Sequence, residues 1–210
     1  MQRQALDKTR RRGLADRARF LKALFAAPRL TGAVAPSGKA LARAMATAIG
    51  APPKGLIVEL GPGTGPVTQS LIDTGVAPRR LVLVEYDAGF CQLLKTRFAS
   101  AAIVQGDAYD LPRSLARFKG RPIAAIVSSL PLLNQPPPRR EKLIADAFAL
   151  MGQGGVFVQF TYGLQSPVPR EFCANRYSAL RSRPILLNLP PAFVWTYRPD
   201  TKTGEIAKGR

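Results

Sequence analysis

Val58-Glu59-Leu60-Gly61-Pro62-Gly63-Thr64-Gly65 is the stretch that decides how the rest of the chain is read. It closes an apolar run, Gly55-Leu56-Ile57-Val58-Glu59-Leu60, of the kind that forms a strand covered on both faces, and three glycines at alternate positions complete it. Lacking a Cβ, each glycine lets the backbone approach a ligand closely and reach positive φ, so the segment reads as a strand entering a nucleotide-approach loop. The spacing separates cofactors. A dinucleotide fingerprint, G-x-G-x-x-G, needs its last glycine where this chain has Pro66.

An acidic residue two places before G-x-G-x-G resembles the first motif of S-adenosylmethionine (AdoMet) methyltransferases. The resemblance implies that Glu59 sits under the loop and helps to hold the methionine end of the cofactor, with Gly61, Gly63 and Gly65 around it. Two further acids fall in step. The apolar run Leu81-Val82-Leu83-Val84 ends in Glu85, followed by Tyr86, about 20 residues beyond the loop, where parallel α/β folds place a carboxylate on ribose hydroxyls. Ala102-Ile103-Val104-Gln105 ends in Gly106-Asp107-Ala108, which resembles the methyltransferase position that accepts from the adenine amino group. Glu59, Gly61, Gly63, Gly65, Glu85, Tyr86, Asp107 and Ala108 are therefore the candidate cofactor residues, and AdoMet the expected cofactor.

At 210 residues and 46% hydrophobic content the chain suits one domain with a substantial core. Its formal charge of +18, from 31 basic and 13 acidic residues, implies a polyanionic partner, either nucleic acid or an anionic membrane. Histidine is absent, which excludes imidazole bases, Ser-His and Cys-His nucleophiles and histidine metal sites. Cys91 and Cys173 stand far apart with no C-x-x-C, so neither a disulfide framework nor a metal site is expected, and a reducing cytosolic setting fits.

Arg10 to Arg12, the apolar stretch from Phe20 to Ala27 and Ala33-Val34-Ala35 imitate a signal peptide. Lys22 and Arg29 interrupt the stretch, and it falls short of the ~20 apolar residues of a membrane span. At helical spacing Leu14, Ala18, Leu21 and Phe25 form a stripe widened by Phe20 and Leu24, while Arg12, Asp16, Arg19 and Lys22 face away. The first 43 residues hold eleven Lys/Arg against two Asp. Such a helix either packs on its own domain or lies in a membrane interface, its cations on anionic headgroups.

Downstream, helices are expected from Gly38 to Ile49, after the glycine loop at Thr64 or Thr68, from Asp87 to Phe98, from Pro112 to Phe118 and from Arg139 to Leu150. Ile123 to Val127 and Val156 to Phe160 complete five parallel strands. Pro184 to Asn188 and Ala192 to Arg198, joined by Leu189-Pro190-Pro191, are expected to pair antiparallel, because parallel neighbours need a crossover of a dozen or more residues. The expected fold is α/β: a Rossmann-like, seven-stranded class I methyltransferase sheet with an N-terminal amphipathic helix. Residues 1–50 are read as a basic, membrane-facing segment, 51–200 as the AdoMet-binding domain and 201–210 as a short basic tail.

Gly32-Ala33-Val34-Ala35-Pro36-Ser37, the glycine loop, Leu83-Val84-Glu85-Tyr86, Ser128-Ser129-Leu130-Pro131-Leu132-Leu133, Val158-Gln159-Phe160-Thr161-Tyr162-Gly163 with Ser166-Pro167-Val168-Pro169, and Asn188-Leu189-Pro190-Pro191-Ala192 together resemble the bacterial phospholipid N-methyltransferases. The resemblance covers residues 14 to 198. It implies successive methylation of phosphatidylethanolamine to phosphatidylcholine by a protein bound peripherally to the cytosolic membrane face. Phe20, Leu21, Leu24 and Phe25 are the expected apolar membrane contacts, Arg19 and Lys22 the cationic ones, and Lys39, Arg170 and Arg176 candidates for the lipid phosphate. The ribosomal RNA adenine dimethyltransferases share the first motif but carry Asn-Leu-Pro-Tyr or Asn-Ile-Pro-Tyr where this chain has Ser129-Leu130-Pro131-Leu132. Serine shortens the reach toward an adenine amine and leucine removes the stacking ring, so nucleic acid is the disfavoured substrate. For the amine proton, Tyr109 and Tyr162, Asp110, a carbonyl around Ser128 to Leu130, or water are the candidates, with Ser128 and Ser129 at the same strand end.

Overall fold

Five apolar runs become parallel strands, because each is long enough to cross a sheet and none alternates with polar residues. They are β1 (Leu56–Leu60), β2 (Leu81–Glu85), β3 (Ala102–Gln105), β4 (Ile123–Ser128) and β5 (Val156–Thr161). β1, β2 and β4 are buried along their whole length, as a sheet covered on both faces requires. The computed structural model describes residues 36–51, 54–152, 154–174, 176–188 and 191–200. The expected amphipathic helix, with Arg19, Phe20, Leu21, Lys22, Leu24 and Phe25, and the basic tail lie outside the described residues.

Helices α1 (Pro36–Ala48), α2 (Pro66–Asp73), α3 (Ala88–Arg97), α4 (Leu111–Ser114), α5 (Pro137–Met151) and α6 (Arg170–Cys173) accompany the strands, with β6 (Tyr177–Arg181) and β7 (Phe193–Pro199) at the end. The strand order is β3-β2-β1-β4-β5-β7-β6, with β7 antiparallel to both its neighbours. One face of the sheet carries Val58, Leu60, Ile126 and Phe157 against Leu143, Ile144 and Phe148 of α5. The other packs Ile57, Leu83, Val127 and Val158 on Leu41 and Met45 of α1, Val67 and Leu71 of α2, and Leu94 of α3. Each such aliphatic or aromatic side chain contributes on the order of 1.5–3 kcal/mol by leaving water. The compact unit begins at Pro36, so α1 belongs to the layer over the sheet.

Three hydrogen bonds extend the parallel ladders past the strand ends: Gly61 N donates to Val84 O, Ser129 N to Leu60 O and Gly106 N to Glu85 O, each at 2.9 Å. The loops after β1, β2, β3 and β4 consequently leave the sheet side by side. The strand order reverses between β1 and β4, and that reversal is where open α/β sheets form a ligand crevice.

The terminal antiparallel pair is present, but its first strand lies upstream of Pro184 to Asn188. β6 is an edge strand whose residues after Tyr177 are all exposed, so it has no hydrophobic alternation to betray it. The Pro184 to Asn188 stretch is apolar, yet Leu186 and Leu187 project into solvent and proline donates no ladder hydrogen bond. Only the isolated bridge between Ile185 and Ala192 remains of the expected pairing.

Candidate active site

The glycine loop adopts the conformations that its composition anticipates. Gly61, Gly63 and Gly65 all have positive φ, at 66°, 57° and 84°. A Cβ on Gly61 would lie 2.8 Å from Leu130 Cδ2, and one on Gly65 would lie 2.4 Å from Phe98 Cε2. Those glycines let the loop sit tightly between α3 and the segment after β4. At Gly63 nothing comes within 4 Å of the Cβ position, so this glycine borders open space that a ligand can fill. Arg97 steadies the loop by donating to Thr64 O at 2.8 Å.

Two carboxylates lie beneath and beside it. Glu59 is completely buried; its Oε2 accepts from Thr68 Oγ1 at 2.5 Å, while Oε1 has no partner. Burial pushes its pKa up to about 8, with the Glu85 charge adding to the rise and the Thr68 hydrogen bonds opposing it. Glu85 ends β2 with both oxygens engaged: Oε2 accepts from Gly63 N at 3.0 Å, and Oε1 from Tyr86 N at 2.8 Å and Asp87 N at 3.0 Å. A carboxylate tied to the loop's central glycine fixes that loop over the crevice. The Tyr86 ring is exposed beside it.

Asp107 lies one strand further along. Its Oδ1 accepts from Tyr109 N at 2.8 Å, and Oδ2 faces Arg139 at 3.6 Å. Arg139 also donates to Gln135 Oε1 and lays its guanidinium 4.2 Å from the centre of the Tyr109 ring. One face of Tyr109 is thus covered by a cation already, which leaves Tyr162 as the more open of the two tyrosines. Tyr162 is 38% exposed and stands edge-on to Phe160 at the end of β5. Ala108 is buried beneath the Asp107 turn.

The segment after β4 forms the far wall. Ser128 and Ser129 are buried, and Ser129 Oγ has no partner. Gln159 of β5 is also fully buried; its Nε2 donates to Leu130 O at 2.8 Å and fixes that carbonyl at the strand end. Leu130 reaches Gly61 on one side, and Leu133, half exposed, reaches Gly163 on the other. The serines and the glycine loop are therefore brought to one crevice with Tyr162 at its rim.

Comparison with known proteins fits this geometry. The family model for ribosomal RNA adenine dimethylase matches residues 39–131. An ornithine lipid N-methyltransferase of Singulisphaera acidiphila is 31% identical over 145 residues, which is 68% of this chain and 76% of that protein. The chain belongs to the same family, as a class I AdoMet-dependent methyltransferase. A ribosomal RNA small subunit methyltransferase A of Synechococcus sp. strain JA-3-3Ab is 44% identical over 59 residues, 27% of this chain and 20% of that one. In fold, the methyltransferase resembles the glycopeptide N-methyltransferase MtfA complexed with AdoMet, with a TM-score of 0.58, 14% identity, and coverage of 78% of this chain and 95% of the other.

The residues present fit AdoMet on their own chemistry. The open space at Gly63, the unpartnered buried Oε1 of Glu59 and the strand-end carboxylate of Glu85 together suit a cationic, ribose-bearing ligand. Lys39 and Arg170 are exposed on α1 and at the start of α6, and Arg176 stacks on Phe172. Sequence reading missed Thr68, Arg139 and Gln159. Of these, Gln159 carried a signal, being the one polar residue in Val156-Phe157-Val158-Gln159-Phe160.

Proposed function

We propose that this methyltransferase transfers methyl groups to the amine of phosphatidylethanolamine and of its mono- and dimethyl derivatives, giving phosphatidylcholine at the cytosolic face of a membrane. The observation that carries the reading is the segment after β4. Residues 129–133 offer a fixed carbonyl at Leu130 and a partnerless buried hydroxyl at Ser129 among leucines, with no aromatic ring to stack on a base. Alignment of 145 residues with a lipid N-methyltransferase supports it.

AdoMet, when bound, supplies a methyl group made electrophilic by its sulfonium. The chain's task is to present a neutral amine in line with that methyl, and orientation contributes most. A primary ammonium with a pKa near ~10 must first lose a proton. Leu130 O already accepts from Gln159 Nε2 and from Leu132 N, so Ser129 Oγ is the acceptor at this strand end that can take an N–H of the amine and so aim its lone pair. Tyr162, at the rim, presents a hydroxyl and an aromatic face, and the face suits a methylated cation. Water at the open rim takes the proton. The basic excess of +18 and the N-terminal cations support adsorption to an anionic membrane.

Adenine methylation in RNA is the second reading, favoured by the family match over residues 39–131. That match covers the glycine loop and the first four strands and stops at Pro131, within the acceptor segment, so it concerns the cofactor half of the crevice. Expression in a bacterium that makes phosphatidylethanolamine but no methylated derivative tests the proposal. Mono-, di- and trimethylated lipids in the extract support it; an unchanged lipid profile with active, folded enzyme sinks it.

A further inference from the structure

A line of polar side chains crosses one otherwise apolar face of the sheet. Strand register sets Ser128 of β4 beside Gln159 of β5, Gln159 beside Trp195 of β7, and Trp195 beside Arg181 of β6. Residues paired directly across strands project from the same face, and along these strands Ile126, Phe157 and Tyr197 fill that face with core. Ser128 and Gln159 are fully buried and Trp195 is 8% exposed. Two atoms in this line lack partners, Gln159 Oε1 and Trp195 Nε1, and Ser129 Oγ, next to Ser128, is a third. Valine or isoleucine would fill such positions without orphaned groups, so the polarity calls for a ligand.

The two ends of the line differ in chemistry. At one, Gln159 holds the Leu130 carbonyl of the acceptor segment. At the other, Trp195 and Arg181 line a cavity of about 500 Å³ together with Leu164, Arg170, Tyr177 and Ala179. Arg181 is held in place by donating to Leu164 O at 2.7 Å and by lying 4.9 Å from the Phe193 ring centre. Among the described residues neither Arg170 nor Arg181 forms an ion pair. Cys173, which ends the short helix that Arg170 begins, feels the negative charge of Glu141. Two guanidinium groups beside an unsatisfied indole N–H form a donor set for an oxyanion. From Ser128 to Arg181 the line spans three strand spacings, about 14 Å between backbones, part of which the arginine side chain covers.

We infer that this line is the bed of a zwitterionic lipid headgroup. The amine lies at the Ser129 and Leu130 end, and the anionic group, a phosphate diester or a carboxylate, lies in the cavity against Arg181, Arg170 and the Trp195 N–H. Leu164, exposed at the cavity, meets the start of the acyl chains. The inference rests on the lipid reading proposed above and names the part of the substrate that reading left unplaced.

The test measures initial methylation rates on vesicles of phosphatidylethanolamine and, separately, of an amino lipid bearing a carboxylate in place of the phosphate. The enzymes compared are wild type, Arg170→Met/Arg181→Met and Trp195→Phe, with AdoMet affinity by calorimetry and vesicle sedimentation measured alongside. The double variant should raise KM about tenfold or more, the size of a lost charge-assisted pair, with kcat and AdoMet affinity within about twofold. Trp195→Phe keeps an aromatic side chain and removes the donor, so it stands alone if the double variant does not fold; its KM should rise about threefold to tenfold. Arg181→Lys, added to the series, should recover part of the loss. The lipid whose KM rises more names the anion. Competitive inhibition by inorganic phosphate that is lost in the double variant would assign a phosphate. Unchanged KM on both lipids, with wild type active on either, overturns this inference and leaves the proposed reaction standing. Absence of lipid methylation by wild type removes the reaction itself, and the inference with it.

Discussion

Replacing Glu59 with glutamine should stabilise the cofactor-free protein near neutral pH and weaken its hold on AdoMet at the same time. Glu59 is buried with one oxygen on Thr68 and the other unpartnered, and burial has pushed its pKa from 4.5 to about 8. Below 4.5 the group is protonated whether the chain is folded or not, so it costs nothing. Between 4.5 and about 8 only the folded chain keeps the proton, so stability falls as pH rises and levels off above the folded value. With 1.36 kcal/mol per unit, the 2.5 units from 4.5 to pH 7 amount to about 3 kcal/mol. Glutamine is neutral throughout and removes that slope. Its amide nitrogen inherits the partnerless position of Oε1, which trims the gain to about 1–3 kcal/mol, or several degrees in Tm for a chain of this length. A cationic ligand reverses the balance. Pairing with Oε1 favours the ionised carboxylate, so AdoMet binding near pH 7 should release protons. Losing that contact should raise Kd about tenfold to a hundredfold. Thermal unfolding across pH 4.5 to 8, with calorimetry in buffers of different ionisation enthalpy, measures both. If Glu59→Gln leaves the slope of Tm against pH unchanged and binds AdoMet like wild type, the burial argument and the assigned contact are both wrong.

Three further perturbations bear on other parts of the site. Gly63→Ala places a methyl group in open space at a φ of 57°, so it should fold at a cost of about 1–2 kcal/mol while calorimetry shows AdoMet binding largely lost. Glu85→Ala leaves the amides of Gly63, Tyr86 and Asp87 without their acceptor and should lower both Tm and AdoMet affinity; an unchanged affinity would remove Glu85 from the ribose role. Deleting residues 1–27 should reduce sedimentation with anionic vesicles while near-ultraviolet circular dichroism stays native, and full pelleting of the shortened chain would show that the membrane contact lies elsewhere.

The parallel half of the fold was legible because buried strands advertise themselves as unbroken apolar runs. Glu59, Glu85 and Asp107 could be placed at strand ends because each follows such a run. β6 was not legible. An edge strand with four exposed residues carries no periodicity, and its apolar neighbour from Pro184 to Asn188 imitated it. The site divided in the same way. Glycine spacing exposes the cofactor loop, since only glycine tolerates those φ values and close approaches. Arg139 over Tyr109 and Gln159 on Leu130 O join segments tens of residues apart, a proximity that only the sheet creates. Trp195 stands between Val194 and Thr196 as any core residue of a strand would, and neither its unpartnered indole nitrogen nor its pairing with Arg181 is written in that local pattern.

The choice between a lipid amine and an adenine is tested most directly by offering both at once. Purified enzyme would be incubated with methyl-labelled AdoMet, anionic vesicles containing phosphatidylethanolamine, and small ribosomal subunits lacking adenine methylation. The account predicts label in the lipid extract, moving through mono- and dimethyl species, and background counts in the RNA. Label in the RNA with none in the lipid would contradict it.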